Sequence, residues 1–165
     1  GRQITLAQEK ENVELFVDIL NIRLQQKIEL KWDMEEDWMD LTFPSFFLQP
    51  LVENSIFHGL SGEKGLITIV VSVYEEEESI VIEVLDSGIG VEKEMLEKIN
   101  ALFSGEKAAM QDKDFHIGLS NVYNRLCLNY GKSVRMHMNS RPEKGTMVQI
   151  KIGKEAIGKY ENNDN

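Results

Sequence analysis

Two apolar strands separated by a short acidic run constrain the fold of this chain more than any other feature. They read LITIVVSVY from Leu66 and SIVIEVLD from Ser79, and the run Glu75–Glu78 between them is typical of a solvated hairpin turn. A second pair, VRMHMNS from Val134 and GTMVQIKI from Gly145, flanks another turn. Hairpins of strands separated by helices indicate an α+β fold, a sheet with helices on one face.

The first helix is predicted to begin at Thr5, where a possible N-cap Thr precedes Gln8 and a run of apolar residues at helical spacing. The acidic residues of its first half carry negative charge, which is favourable near the N-terminal end of a helix dipole. Proline is compatible with the first turn of a helix, so a second helix is predicted to begin near Pro44, restart at Pro50 and end at Gly59.

The remaining chain has two further helical segments, KEMLEKINALF and Ile117 to Tyr130. Between them the segment from Ser104 is rich in small and charged residues and lacks periodicity, which predicts a mobile loop. One strand, IELKWDM from Ile28, is predicted before the second helix.

Composition excludes several classes of partner. The chain has 165 residues, enough for one ordinary domain, and 28 acidic against 18 basic residues give a net charge of -10, which opposes binding to nucleic acid or anionic lipid. No apolar run approaches the roughly 20 residues that span a bilayer. The single cysteine, Cys127, lies in an apolar helical pattern typical of a buried, inert thiol.

Asn54 and His58 in LVENSIFHGL are four residues apart and share one helix face. An Asn carbonyl suits Mg²⁺, which takes few protein ligands beside nucleotide phosphates, so Asn54 is the candidate metal ligand. A helix end that merely solvates its polar residues would give the same pattern.

In VIEVLDSGIG an apolar strand leads into Asp86, then Gly88 and Gly90. A carboxylate at a buried strand end needs a hydrogen-bond donor, which an adenine amino group provides, and the glycines allow backbone to approach a flat ring. A simple strand-exit turn is the alternative.

Gly118 opens the helix of HIGLSNVYNRL, where free N–H groups can receive phosphate, although glycine as a plain helix entry explains it equally well. Asn121 and Arg125 lie one turn apart on this helix. They either serve the site or only solvate the helix. Thr146 in the KGT that opens the last strand is either a partner of adenine and Asp86 or just a good strand former.

The order of these elements resembles the N, G1, G2 and G3 boxes of the GHKL ATPase and kinase superfamily. The likeness covers about residues 4–153 and is strongest to LytS/YesM-type sensor histidine kinases, through QPLVEN-x3-HG, GLSNVYNRLCLNYG and the upstream TLAQEKENVELFVDILNIR. It implies the Bergerat fold, a two-layer α/β sandwich with a mixed sheet.

By this resemblance Asn54 chelates Mg²⁺ and Asp86 binds the adenine N6, while Ser104–Phe115 forms the ATP lid. The same resemblance implies that His58 lies by the phosphates and that the usual glycine of the lid motif is replaced here by His116. The other implied ATP contacts are Gly88, Gly90, Gly118, Leu119, Ser120, Asn121 and Thr146.

The same resemblance implies a histidine kinase that passes the γ-phosphoryl of ATP to a histidine outside this sequence and then to a response regulator. Residues 1–26 are expected to be a helix continuing from an upstream region for dimerisation and phosphoacceptance, 27–153 the catalytic domain and 154–165 a polar tail. The full-length protein is expected to be a homodimer anchored in the bacterial inner membrane, with this domain in the cytoplasm.

Hydrolytic members of the superfamily carry a glutamate one helical turn before the Mg²⁺-binding Asn, and that position is Pro50 here. Glu53 points about 100° away around the helix, which favours phosphoryl transfer over hydrolysis. A GHKL-type ATPase and a decayed module that docks partners without nucleotide, a reading that His116 favours, remain the alternatives.

Overall fold

Four α-helices and eight strands form the part of the chain described by the computed structural model, residues 2–24, 27–59, 65–106 and 117–161. The helices are α1 (Leu6–Leu24), α2 (Gln49–Gly59), α3 (Lys93–Phe103) and α4 (Ile117–Tyr130). The strands are β1 (Gln3–Thr5), β2 (Lys27–Met34), β3 (Leu41–Pro44), β4 (Leu66–Glu76), β5 (Ser79–Asp86), β6 (Val134–Ser140), β7 (Thr146–Gly153) and β8 (Gly158–Lys159). The predicted lid beyond Glu106, and His116, lie outside these residues.

The main sheet is mixed and has the strand order β2-β4-β5-β7-β6 among the described strands. β2 and β4 are parallel, and the α2 segment lies between them in the sequence. The β4–β5, β5–β7 and β6–β7 pairs are antiparallel. Both predicted hairpins are therefore present, and the predicted α+β fold with a mixed sheet is confirmed.

Alternation along the strands separates the two faces of this sheet. In β4, Ile67, Ile69, Val71 and Val73 are buried and the residues between them are not. The buried strand residues join a single cluster with apolar residues of all four helices, including Val13, Leu51 and Leu126. The helices therefore cover one face, as predicted, and the polar residues of the other face lie outside this core.

The turn between β4 and β5 is tighter than the acidic run indicates. β4 continues through Glu76, which pairs with Ser79, so only Glu77 and Glu78 form the turn. Glu77 has φ +52, in the left-handed region. Lys154 and Lys151 form ion pairs with Glu75 and Glu76, which anchors the charged strand end to neighbouring residues.

A small second sheet was not predicted. β1 and β8 each pair antiparallel with β3, in the order β1-β3-β8. Within residues 1–26, which were expected to be helical, residues 3–5 form a strand instead. α1 begins at Leu6, directly after the predicted N-cap Thr5. The Thr5 N–H donates to Gln8 Oε1 at 3.0 Å, and the Gln8 N–H donates to Thr5 Oγ1 at 3.2 Å.

The predicted start of the second helix near Pro44 is wrong. Pro44 ends β3 and pairs with Gln3, while α2 begins at Gln49. Pro50 falls in the first turn, where the missing N–H is not needed by the helix. The N–H groups of Leu51 and Val52 both donate to the carbonyl of Leu48, at 3.0 and 3.1 Å.

Cys127 is half-buried on α4 beside Tyr123 rather than fully enclosed. Among the described helices, none is long and apolar enough to cross a membrane.

Candidate nucleotide site

α2 carries the first two predicted site residues to one cavity. Leu51, Val52 and Ile56 are buried on its inner face, and this burial fixes the rotation of the helix about its axis. Asn54 and His58, one turn apart, then both line a cavity of about 290 Å³. Burial lowers the pKa of His58, so the neutral imidazole is favoured at this position.

Asp86 lies at the end of β5 and is 6% exposed. Burial raises the pKa of Asp86, and hydrogen bonds from the Gly88 N–H, the Ser55 hydroxyl and the Thr146 backbone act in the opposite direction. The Gly88 N–H donates to Asp86 Oδ1 at 2.9 Å. Asp86 is therefore a desolvated acceptor whose surroundings partly favour its charged form.

Gly88 is required by a close approach of two backbones. A Cβ at Gly88 would lie 2.7 Å from the Cα of Gly59 and 2.9 Å from Asp86 Oδ1. A Cβ at Gly59 would lie 2.0 Å from Cδ1 of Ile67. The end of α2 therefore sits directly against the loop that follows β5, which brings the helix of Asn54 to Asp86.

The same loop also interlocks with the turn between β6 and β7. Gly90 has φ +77, and a Cβ there would lie 2.0 Å from the carbonyl oxygen of Arg141. Gly145 has φ +84, and its Cβ would lie 2.0 Å from the carbonyl oxygen of Asp86. In the KGT segment, Gly145 is thus the residue with the strictest steric requirement.

A chain of hydroxyl groups extends the network around Asp86. The Val91 N–H donates to Ser140 Oγ at 2.8 Å, and Ser140 Oγ donates to the Gly145 carbonyl at 2.8 Å. Ser140 Oγ also lies 3.0 Å from Thr146 Oγ1. Because Ser140 has one proton to give, Thr146 is the donor in that contact. Thr146 therefore retains lone pairs that can accept a hydrogen bond.

The 290 Å³ cavity is near the lower end of the roughly 300–1,000 Å³ usual for small-molecule sites. Leu119 of α4 and Gly90 line it with Asn54 and His58. Its other described lining residues were not predicted from the sequence: Val91, Glu92, Met95, Ile99 and Met138. The apolar members follow helix and strand spacing, which gives the same signal as ordinary core residues.

The other predicted residues of α4 lie near the cavity without being among its described lining. Gly118 is exposed at the start of the helix, and a Cβ there would meet no atom of the described residues within 4 Å. Ser120 is half-buried and Asn121 is exposed. Packing against the described residues therefore does not require glycine at position 118.

Arg125 is not among the described lining residues of the cavity, and it does more than solvate its helix. Its guanidinium donates to the carbonyl oxygens of Ser45 and Phe46, at 3.3 Å to Phe46. These residues belong to the segment that precedes α2. Arg125 thus joins α4 to the start of the helix that carries Asn54.

The donor and acceptor groups present fit a purine nucleotide. The buried carboxylate of Asp86 suits an exocyclic amino group, the apolar cavity suits a flat ring, and the Asn54 carbonyl is an oxygen ligand of the type that Mg²⁺ takes. Pro50 lies one turn before Asn54, and Glu53 is exposed. The described part of α2 thus places no carboxylate at the position from which hydrolytic relatives activate water.

Curated proteins similar to this chain include sensor kinases. An uncharacterized sensor-like histidine kinase of Staphylococcus epidermidis is 33% identical over 149 residues, covering 90% of this chain and 28% of that protein. The sensor protein LytS of Bacillus anthracis is 30% identical over 158 residues, covering 96% and 26%. This chain therefore spans about a quarter of the length of these relatives.

Solved structures share the fold at low sequence identity. The catalytic domain of the histidine kinase ThkA superposes with a TM-score of 0.67 at 18% identity, covering 93% of this chain and 97% of that one. The histidine kinase AdeS of Acinetobacter baumannii gives a TM-score of 0.62 at 18% identity, covering 93% and 66%.

The resemblance to LytS-type kinases is confirmed by these relatives. Residues 40–156 match the family described as Histidine kinase-, DNA gyrase B-, and HSP90-like ATPase, and ATP is the nucleotide that this family implies. The match covers more than half of the sequence and includes α2, β5 and α4, where Asn54, Asp86 and Leu119 lie. This chain therefore belongs to the histidine kinase-, DNA gyrase B- and HSP90-like ATPase family, as a domain homologous to those of sensor histidine kinases.

Proposed function

We propose that this chain is the Mg-ATP-binding catalytic domain of a sensor histidine kinase. The proposal is supported by one observation: three elements of the fold meet at the 290 Å³ cavity. α2 brings Asn54 and His58 to the cavity, α4 brings Leu119, and the loop after Asp86 brings Gly90. Asp86 is buried at the end of β5, directly before that loop, and is the proposed acceptor for the adenine amino group.

Each group has a separate task in the proposed site. Asp86 binds the adenine N6, supported by Gly88 and Thr146, and the apolar lining holds the ring. Asn54 holds Mg²⁺, which neutralises charge on the phosphates when bound. His58 is favoured in its neutral form and lies on the Asn54 face of α2, beside the phosphates.

The first turns of α4 complete the phosphate side of the proposed site. α4 begins at Ile117, so the N–H groups of Gly118 and Leu119 lie in its first turn, where backbone N–H groups suit an anion, and Ser120 and Asn121 follow as the further proposed ATP contacts. No described residue lies within 4 Å of a Cβ placed at Gly118, and this supports an approach of phosphate from that side. Ser104–Phe115 is the proposed lid over this side.

Transfer is proposed over hydrolysis because of the residues around Asn54. Pro50 occupies the turn before it, and Glu53 is exposed. Glu92 is a carboxylate in the described lining, but it is exposed at the start of α3. Binding and alignment of ATP, rather than activation of water, are the tasks this arrangement supports.

The phosphoacceptor is proposed to be a histidine outside this sequence. His58 lines the cavity, and His137 is exposed on β6 with Nε2 3.1 Å from Asn139 Oδ1. His58 belongs to the nucleotide-binding helix itself and His137 to a strand, so neither lies in the preceding helical hairpin expected to carry a phosphoacceptor. The full-length protein is proposed to be a membrane-anchored homodimer that passes the phosphoryl group to a response regulator.

Titration of the chain with a fluorescent ATP analogue, with and without Mg²⁺, tests the site. We expect saturable binding that requires Mg²⁺ and competition by ATP. No binding at millimolar nucleotide would favour a docking module without nucleotide. Phosphate release should stay at background, and steady turnover would instead support an ATPase.

The kinase reaction is tested with the full-length protein. Incubation with ATP labelled at the γ-phosphate should give a phosphoprotein whose label is acid-labile and base-stable, as expected for phosphohistidine, and the label should move to a purified response regulator. The chain alone should bind ATP without acquiring label.

A further inference from the structure

Glu9 is a fully buried carboxylate in the described part of α1, with 0% exposure. Its oxygens accept three backbone N–H groups from residues about 40 positions later in the chain. Oε2 accepts from Phe46 at 3.1 Å, and Oε1 accepts from Leu48 at 3.0 Å and Gln49 at 3.3 Å. Because an unpaired buried carboxylate is costly, these donors are what make the position tolerable. Glu9 therefore caps α2, not its own helix.

This cap determines where α2 begins. The first N–H groups of a helix lack intrahelical partners, and the N-terminal end of the dipole favours an anion. Gln49 is the first residue of α2. Asn54 follows five residues later, about 7.5 Å along the axis at the usual rise of 1.5 Å per residue. A shift of the cap is thus carried along a short rigid helix to Asn54 and His58.

Arg125 holds the same segment from the opposite helix. Its guanidinium donates to the carbonyls of Ser45 and Phe46, while Glu9 binds the N–H of Phe46. Residues 45–49, which we call the α2 entry loop, are therefore fixed between α1 and α4. α4 is also the helix that brings Leu119 to the cavity.

Phe46 shows that backbone contacts, rather than side-chain burial, hold the α2 entry loop. It has φ +61, a left-handed conformation that is unfavourable for a residue with a Cβ. Its side chain is 51% exposed, so packing of the ring does not impose this conformation. The backbone contacts of Phe46 with Glu9 and Arg125 bracket the strained peptide on both sides.

We propose that Glu9 and Arg125 are positioning residues for the nucleotide site. Acting through the α2 entry loop, they set the place of α2 relative to α4 and hence the spacing of Asn54 and His58 from Leu119. The proposal rests on the nucleotide-binding function proposed above. It makes α1, which contributes no residue to the described lining of that cavity, a determinant of nucleotide affinity.

The test is Glu9→Gln, which keeps the size of the side chain but replaces one acceptor oxygen by an amide donor. One of the N–H groups now bound to Glu9 then faces another donor, and the entry loop leaves its present conformation for part of the time. We expect the Kd for Mg-ATP to rise about tenfold, since apparent affinity falls with the population of the competent state. Arg125→Lys, which loses the planar fork, should also raise the Kd.

Glu14→Gln is the matched control, with the same substitution on the same helix. Glu14 is half-buried, and its carboxylate pairs with Lys10 on its own helix at 2.9 Å. The Kd of the Glu14→Gln variant for Mg-ATP should equal that of the wild type. In the double variant of Glu9→Gln and Arg125→Lys, the effects should be less than additive, because both residues act on one loop.

The outcomes separate the two proposals. If the wild type binds no Mg-ATP, the proposed function fails and the positioning role fails with it. If the wild type binds and folded Glu9→Gln binds equally well, with only a lower melting temperature, Glu9 is structural and the positioning role alone is overturned. If Glu9→Gln does not fold, Arg125→Lys decides, and an unchanged Kd in that folded variant overturns the proposal.

Discussion

Replacing Asp86 by Asn should have opposite effects on stability and on nucleotide binding. Burial raises the pKa of Asp86, so the folded state favours its protonated form. The stabilisation from this preference is present below pH 3.8 and is lost as pH rises through the raised pKa. At neutral pH the wild type therefore carries the cost of a buried charge, and Asp86→Asn removes that cost.

The size of the two effects follows from the contacts of Asp86. Asp86→Asn removes the free-energy cost of burying the Asp86 charge, which should stabilise the fold by about 0.5–2 kcal/mol. In a domain of this length, each kcal/mol corresponds to roughly 2–4 °C in melting temperature. The lost charge-assisted hydrogen bond to adenine should cost about 1.5–3 kcal/mol, or a roughly 10- to 150-fold rise in Kd.

Both quantities can be measured on one preparation. Thermal unfolding should be followed at pH 4 and pH 7.5, and the advantage of Asp86→Asn over the wild type should be larger at pH 7.5. Binding of the fluorescent ATP analogue at pH 7.5 gives the two Kd values. Asp33→Asn is the matched control, because Asp33 is exposed on β2 and should change neither quantity.

A variant that melts at a lower temperature yet binds nucleotide as tightly as the wild type would refute this reasoning. In that case the three hydrogen bonds to Asp86 would outweigh its desolvation. Asp86 would then be a structural residue at the end of a strand, as the turn alternative of the sequence analysis holds.

Gly88→Ala should destabilise the fold by about 1–3 kcal/mol and weaken nucleotide binding, because its Cβ would lie 2.7 Å from the Cα of Gly59. Gly65→Ala, whose Cβ would meet no described residue within 4 Å, should melt as the wild type does. As pH falls below 6.5, the free energy of unfolding should decrease less in His58→Gln than in the wild type. The buried wild-type imidazole has a lowered pKa, so the unfolded state binds more protons there, and equal pH profiles in urea titrations would contradict this. Thr5→Ala should cost about 1 kcal/mol in urea unfolding through loss of the N-cap, and Thr5→Ser should retain most of it.

Periodicity predicted the regular elements well where they are long. α3, α4 and β6 have the predicted bounds, and the hairpins of β4 with β5 and of β6 with β7 form the core of the sheet. Each of these segments buries a continuous apolar face, and that face is visible in the sequence. The fold class followed from them.

The small sheet of β1, β3 and β8 could not be predicted in the same way. Its strands have two to four residues, too few for an alternating pattern, and they join parts of the chain far apart in sequence. Pro44 was assigned to a helix start because proline suits that position, but proline is also tolerated at a strand end. Local sequence does not distinguish the two.

The nucleotide site likewise has features that local sequence predicts and one long-range contact that it does not. Asn54, His58 and the glycines after Asp86 follow from spacing within one segment. The link of Glu9 to α2 was missed because acidic residues near a helix N-terminus suit their own dipole, and nothing local shows that this one turns inward to another helix.

The small sheet has a consequence for how the domain can be rebuilt. β1 and β8 lie on opposite edges of β3, with Gln3 opposite Pro44 and Lys159 opposite Leu41. At ordinary strand spacings, Gln3 and Lys159 are then roughly 14 Å apart. A linker of a few residues would join them, and new ends opened in the Glu77–Glu78 turn would give a circularly permuted domain with its nucleotide site intact.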